Sequence, residues 1–246
     1  MKTNTDHTPF RTLPQISTLL LALLGAVSSA QAVTSANLLG DPGFDSHPLL
    51  GFNTVLGDFT GQQNNWGSEN GTIVAGTSYD YVTAIGTSML SMTATGGSAT
   101  QTVQVINLSA YAAEINAGNA TFDLQALFTE GTSNPAIKGF SGADAGVVAS
   151  FFTSNSFSNP NTPASLSTSF ILDEDPSTWQ TVSVNGSIPI NTTWMSVQVL
   201  YNNTSLGSHA GYVDSASLTV TTVPEPSGCV LLGLGAGVLL LRNRRR

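Results

Sequence analysis

Two stretches decide the fold: Thr102-Val103-Gln104-Val105 and Ser196-Val197-Gln198-Val199-Leu200. Apolar and polar side chains alternate in both with a period of two. In an extended chain the valines therefore fall on one face, as a half-buried strand requires, whereas a helix would scatter them around its axis. Working outward, further β-prone runs separated by turn residues cover Gly71–Ala75, Ser88–Ala94, Gln101–Ile106, Thr121–Phe128, Gly146–Thr153, Ser167–Leu172, Gln180–Val184, Met195–Tyr201 and Ala216–Val220. Only Leu108–Ala117 reads as helical, a turn or two opened by Ser109. The expected fold is all-β: a single antiparallel β-sandwich (jelly roll) over residues 33–222, with no internal repeat and no linker that divides it. With so few charges available, its edge strands are expected to rely on Pro, Gly and Asn turns rather than lysines.

Composition narrows the function. Charged residues make up 9% of the 246, against roughly 25% in soluble domains. Lys2 and Arg11 stand at the start and Arg242, Arg244, Arg245 and Arg246 at the end, leaving Lys138 as the one cation between. Residues 33–222 hold 13 Asp or Glu and one Lys, a net charge of −12. A surface of that sign cannot track phosphates, so nucleic acid is excluded as a partner. The same count leaves no arginine in the domain for a phosphoryl or carboxylate clamp. Cys229, the single cysteine, lies in the C-terminal tail, so residues 33–222 can have no disulfide, thiolate nucleophile or cysteine metal site.

Both ends read as addresses. Residues 1–32 combine Lys2 and Arg11, the apolar run Leu19–Val27, and Ala30-Gln31-Ala32 with small residues at the −3 and −1 positions of a cleavage site. That is the anatomy of a secretory signal helix, with Val33 as the mature start. At residues 223–246, Val223-Pro224-Glu225-Pro226 stays extended because two prolines two apart fit neither helix nor central strand. An apolar run, Gly228–Leu241, follows; it is shorter than the ~20 residues of a comfortable span but able to cross a thinned bilayer. The closing arginines Arg242, Arg244, Arg245 and Arg246 hold its end on the cytoplasmic side.

In that order (Pro-Glu-Pro, apolar helix, basic terminus) the tail resembles the PEP-CTERM sorting signal of Gram-negative bacteria. The resemblance covers about 24 residues and implies an exosortase as processing partner, transient residence in the inner membrane, and delivery to the cell surface or extracellular matrix. A plain C-terminal membrane anchor is the other reading of the same tail.

The borders of the central region carry a second resemblance. Asn37-Leu38-Leu39-Gly40-Asp41-Pro42-Gly43-Phe44-Asp45 and Gly211-Tyr212-Val213-Asp214-Ser215-Ala216-Ser217-Leu218 are similar to the first and last strands of galactose-binding-like jelly rolls. That fold is shared by many carbohydrate-binding modules, which more often have Glu where Asp45 stands. If the two strands lie side by side, Asp45 and Asp214 reach one corner, where related modules hold a structural Ca²⁺. Without a cation, Asp45 would cap the turn after Phe44 and Asp214 would bond a neighbouring strand.

For glycan binding, Trp66 in the polar loop Gln62–Trp66, with Tyr79 and Tyr81, offers aromatic faces for sugar C–H groups beside amides for hydroxyls. Trp179 and Trp194, at strand starts, read as core or rim packing, which is also the alternative for Trp66. Catalysis finds little footing. Asp173-Glu174-Asp175-Pro176 is a solvated turn, His47 and His209 lack partners at triad or zinc spacing, and no phosphate loop occurs. The expected function is non-catalytic binding of glycan or exopolysaccharide. A purely structural matrix or biofilm protein is the alternative, and a glycan-active enzyme the third reading.

Overall fold

The alternating segments form strands that stack as two six-stranded sheets. The computed structural model describes residues 31–51, 62–76, 82–95, 98–131, 143–154, 164–173, 175–203 and 208–224. The expected signal helix and membrane-spanning helix, Tyr79, Tyr81, Glu225, Pro226 and the four C-terminal arginines lie outside the described residues. Among the described residues no helix is long and apolar enough to cross a membrane.

The strands are β1 (Val33–Thr34), β2 (Leu50–Gly51), β3 (Gly67–Ser68), β4 (Gly71–Ala75), β5 (Ser88–Thr95), β6 (Ser98–Asn107), β7 (Ala120–Glu130), β8 (Ala143–Phe152), β9 (Ala164–Ile171), β10 (Gln180–Ser187), β11 (Trp194–Asn203) and β12 (Ser208–Thr222). All nine expected runs fall within or overlap strands; β1, β2 and β3, two residues each, have no pattern to read. The first sheet runs β10-β7-β12-β5-β4, with β1 on β12, and the second runs β2-β3-β6-β11-β8-β9. Pairing is antiparallel throughout except between β2 and β3 and at the bridge Gln63–Val105. From β5 to β8 the chain switches sheets at each strand, and so also from β9 to β12.

Period-two burial lines the core. Phe122, Leu124, Ala126 and Phe128 of β7 and Met195, Val197, Val199 and Tyr201 of β11 belong to one buried cluster between the sheets. A 3₁₀ turn, Ser109–Tyr111, leads into α1 (Ala112–Asn116), whose Ile115 is buried. The segment opens at Ser109, as expected, and just ahead of it Asn107 Oδ1 accepts the Ser109 N–H at 2.8 Å.

β12 positions the site. A bulge between Asp214 and Ser217 inserts one residue against β7, and Ser215 takes φ 50° to make it. The opening segment is laced along this strand. Leu38 N–H donates to Leu218 O at 2.8 Å, Asn37 Nδ2 to Ala216 O at 2.9 Å, and the bulge's Ala216 N–H to Pro42 O at 2.8 Å. The opening and closing motifs are therefore neighbours.

Candidate functional site

Two places gather polar side chains. The first is the corner where the opening segment meets the β12 bulge. Asp41 organises it: its carboxylate accepts the N–H groups of Asp45, Ser46 and His47 at 2.9–3.1 Å. That bonding holds the tight turn, in which Asp41 and Phe44 both have positive φ. The turn aims Asp45 at the loop before β5. There Asp45 Oδ1 accepts the Thr87 hydroxyl at 2.7 Å and the N–H groups of Thr87 and Ser88 at 2.8 Å each. These bonds, that of the Thr87 hydroxyl first, hold the Asp45 carboxyl below the usual carboxylate range.

Asp214 is 1% exposed. Its Oδ2 accepts the Ile85 N–H at 2.8 Å and its Oδ1 the Ser215 N–H at 2.6 Å. Burial outweighs these bonds and, with the charge of Asp45 adding to it, pushes the Asp214 carboxyl up. Both carboxylates border one cradle. A Cβ on Gly43 would lie 2.9 Å from Asp45 Oδ2 and 3.8 Å from Asp214 Oδ1, and one on Gly86 would lie 2.7 Å from Asp45 Oδ2. Asp45 Oδ2 accepts no hydrogen bond from the described residues, so one carboxylate oxygen is open toward this space. An all-oxygen donor set of two carboxylates suits a hard dication, with backbone oxygens to complete its shell. Among the described residues no cluster of three or more His, Cys, Asp or Glu forms. Sequence reasoning paired Asp45 with Asp214 but missed Thr87, Gly43 and Gly86; their role depends on β5 arriving beside the turn.

Trp66 is not at a surface. It is 3% exposed, its ring lies 5.2 Å from that of Phe44, and its indole N–H donates to Asp41 O at 3.1 Å. A ring with both faces and its N–H engaged in packing has no side left for a sugar, so the platform expected there is replaced by core packing. Trp179, half-buried, donates its N–H to Thr83 O at 3.1 Å and packs on a small cluster of Val82, Ala84, Met89 and Tyr212. His47 Nδ1 lies 3.7 Å from Asp41 Oδ2. Asp173 and Asp175 bond their own turn at Thr178 and Ser177.

The second place is the non-core face of the second sheet. Registers across β6, β11 and β8 align Asn107, Trp194 and Phe152; then Val105, Ser196 and Ser150; then Val103, Gln198 and Val148; then Gln101, Leu200 and Gly146. Trp194, Gln198, Leu200 and Asn202 are half-buried along β11, with Trp194 resting on Val105 and Phe152. Between Trp194 and Gln198 the Ser196 hydroxyl is buried, with no hydrogen-bond partner among the described residues. Buried hydroxyls without partners cost about 1–3 kcal/mol and are uncommon for that reason.

No protein-family model matches the chain, and no curated protein does. Among solved structures it is similar to TmCBM61 in complex with β-1,4-galactotriose, at 12% identity over 75% of this chain and 98% of that one, TM-score 0.47. It is also similar to the Family 16 Carbohydrate Binding Module-2, at 16% over 74% and 96%, TM-score 0.38. A third likeness is to the arabinose-bound MgGH51 α-L-arabinofuranosidase, at 16% over 75% of this chain but 26% of the enzyme, TM-score 0.40. These TM-scores lie below 0.5, so the likeness assigns no function. What the structure itself defines is an all-β sandwich with a two-carboxylate corner and an amide- and aromatic-bearing sheet face.

Proposed function

We propose that this is an exported, non-catalytic, surface-destined protein whose sandwich binds glycan on the non-core face of the second sheet. The observation that carries the reading is the half-buried row of Trp194, Gln198, Leu200 and Asn202, which sets an indole and two amides along one face of β11. A pyranose offers what that strip asks for: C–H groups for the indole face, and hydroxyls for the amides. The resemblance of residues 37–45 and 211–220 to galactose-binding-like jelly rolls supports it. Export and sorting rest on the two terminal signals, with an exosortase acting near Val223-Pro224-Glu225-Pro226. Ca²⁺ at Asp45 and Asp214 would offset their mutual repulsion and brace the opening segment against β12.

The test is an array of immobilised neutral polysaccharides probed with the purified chain and with Gln198→Ala. Binding that the variant weakens at least tenfold supports this face. Binding that it leaves unchanged moves the site elsewhere, and no binding to any glycan favours the purely structural reading.

A further inference from the structure

We propose that β9 is the edge through which two copies of this chain pair, independently of any glycan. Among the described residues β9 ends the second sheet and pairs with β8 alone, in unbroken register from Asp144–Ile171 to Phe151–Ala164. Natural edges are blunted by shortness, Pro, charge or bulges. Here β2, at the other end of the same sheet, is two residues long, and β4, an edge of the first sheet, is five. β10, the remaining long edge, carries Asn185-Gly186. β9 reads Ala-Ser-Leu-Ser-Thr-Ser-Phe-Ile and has no Pro, Gly, Asn, charge or bulge. The Pro- and Asn-rich turn expected to guard such an edge, Asn159-Pro160-Asn161-Thr162-Pro163, stands before the strand in the sequence and outside the described residues.

Its side chains are those of an interior. Leu166 and Phe170 register with Ala149 and Ala145, both buried in the core, so they point to the core side of the sheet. Yet they are 39% and 48% exposed, and Ile171 beside them is 64% exposed. The cause is that the first sheet ends at β10, where a Cβ on Gly186 would already lie 2.7 Å from Leu166 Cδ1. Core-directed apolar groups are thus left open along the rim.

Two features point to a second copy as their cover. Antiparallel pairing of two β9 strands about a two-fold through Thr168 sets Leu166 opposite Phe170 of the second copy and Phe170 opposite its Leu166. The strand is self-complementary in an isologous contact, with aromatic–aliphatic pairs on the core-side face. Charge is the other feature. At −12, residues 33–222 of two copies repel over most of their surface, but residues 164–171 carry no charge. Pairing there joins the two second sheets into one and keeps carboxylates out of the strand contact.

The full chain in mild detergent, studied by sedimentation velocity over a wide concentration range, should show a monomer–dimer equilibrium. Thr168→Lys sets two ammonium groups against each other on the two-fold and should weaken the dimer by about tenfold or more. A second measurement, which does not depend on the folding of that variant, stands beside it. In a Cys229→Ser background, Thr168→Cys should form a disulfide dimer when a thiol oxidant is added, since directly opposed Cα atoms lie about 4.5–5.5 Å apart, within disulfide reach. Ser183→Cys on β10 should stay monomeric. A chain that is monomeric throughout, a dimer that folded Thr168→Lys leaves intact, or equal cross-linking from Ser183→Cys would each overturn the proposal.

Discussion

Asp45 and Asp214 face one another across the bare backbone of Gly43: a Cβ there would lie 2.9 Å from Asp45 Oδ2 and 3.8 Å from Asp214 Oδ1. One carboxylate comes from the opening turn, the other from the bulge of the closing strand. Their relationship exists only because hydrogen bonds such as Leu38 N–H to Leu218 O clasp the two segments together.

If that cradle takes Ca²⁺, filling it should abolish the effect. Ca²⁺ bound by the native state alone stabilises by about 2.7 kcal/mol at a hundredfold excess over its dissociation constant. That amount should raise the melting temperature by several degrees. Gly86→Ala puts a methyl 2.7 Å from Asp45 Oδ2, whose partner oxygen is held by three hydrogen bonds and cannot simply swing away. The variant is expected to keep its fold and lose the Ca²⁺ shift, with Mg²⁺ and NaCl at matched ionic strength as controls. A Ca²⁺-specific shift that survives in Gly86→Ala and in Asp45→Ala removes calcium from this corner.

The two carboxyls should also give opposite pH trends. Asp214, raised by burial and then by Asp45, costs stability once ionised. The cost is absent below 3.8 and grows as pH rises through its elevated value. Asp45, lowered first by its Thr87 bond, adds stability above 3.8 that fades as pH falls through its depressed value. Without Ca²⁺, Asp214→Asn should therefore gain on the wild type as pH rises from 3.8, read as the difference in melting temperature. With Ca²⁺ present the gain should reverse, because the cation needs Asp214 ionised. A difference that stays flat with pH would contradict this assignment.

Much of this was legible beforehand, for a physical reason. Val197 and Val199 advertise their strand because burial on a pleated sheet has a period of two. Val103 and Val105 also share a face, but against expectation β6 is buried on both faces, with Thr102 and Gln104 on the core side and the valines on the other. The Asp45–Asp214 pair was legible because its motifs open and close the domain. Trp66 misled because its neighbours Gln62–Asn65 are polar, while the ring turns inward to Phe44, a contact that depends on the positive φ of Phe44. Ser196 gave no signal at all: a serine in an alternating strand reads as solvent-facing, and its burial comes from outside the strand.

Trp66 and Trp194 should separate cleanly on substitution. Trp66→Ala removes a ring buried against Phe44 and should cost about 3–5 kcal/mol, enough to unfold a marginal domain near physiological temperature. Trp194→Ala removes a half-buried ring at the rim and should cost less, while abolishing glycan retention. Chemical denaturation and affinity electrophoresis on the same samples decide it. If Trp194→Ala binds normally, the β11 strip is not the site.

Ser196→Ala and Gln198→Ala should separate stability from binding on neighbouring positions of one strand. Ser196 is fully buried, and among the described residues its hydroxyl has no partner, so it contributes desolvation cost and no bond. Deleting it leaves the β-carbon in place and opens a void of one oxygen, and the denaturation midpoint should hold or rise, by up to about 1 kcal/mol. A hydroxyl sealed beneath the strip touches no ligand, so Ser196→Ala should bind glycan like the wild type. Gln198→Ala removes a half-buried amide from the strip itself and should weaken binding by about 1.4 kcal/mol or more, tenfold. A Ser196→Ala variant that is less stable than the wild type would mean the hydroxyl already has a partner in the native protein. A Gln198→Ala variant that binds glycan unchanged would take the site off this face.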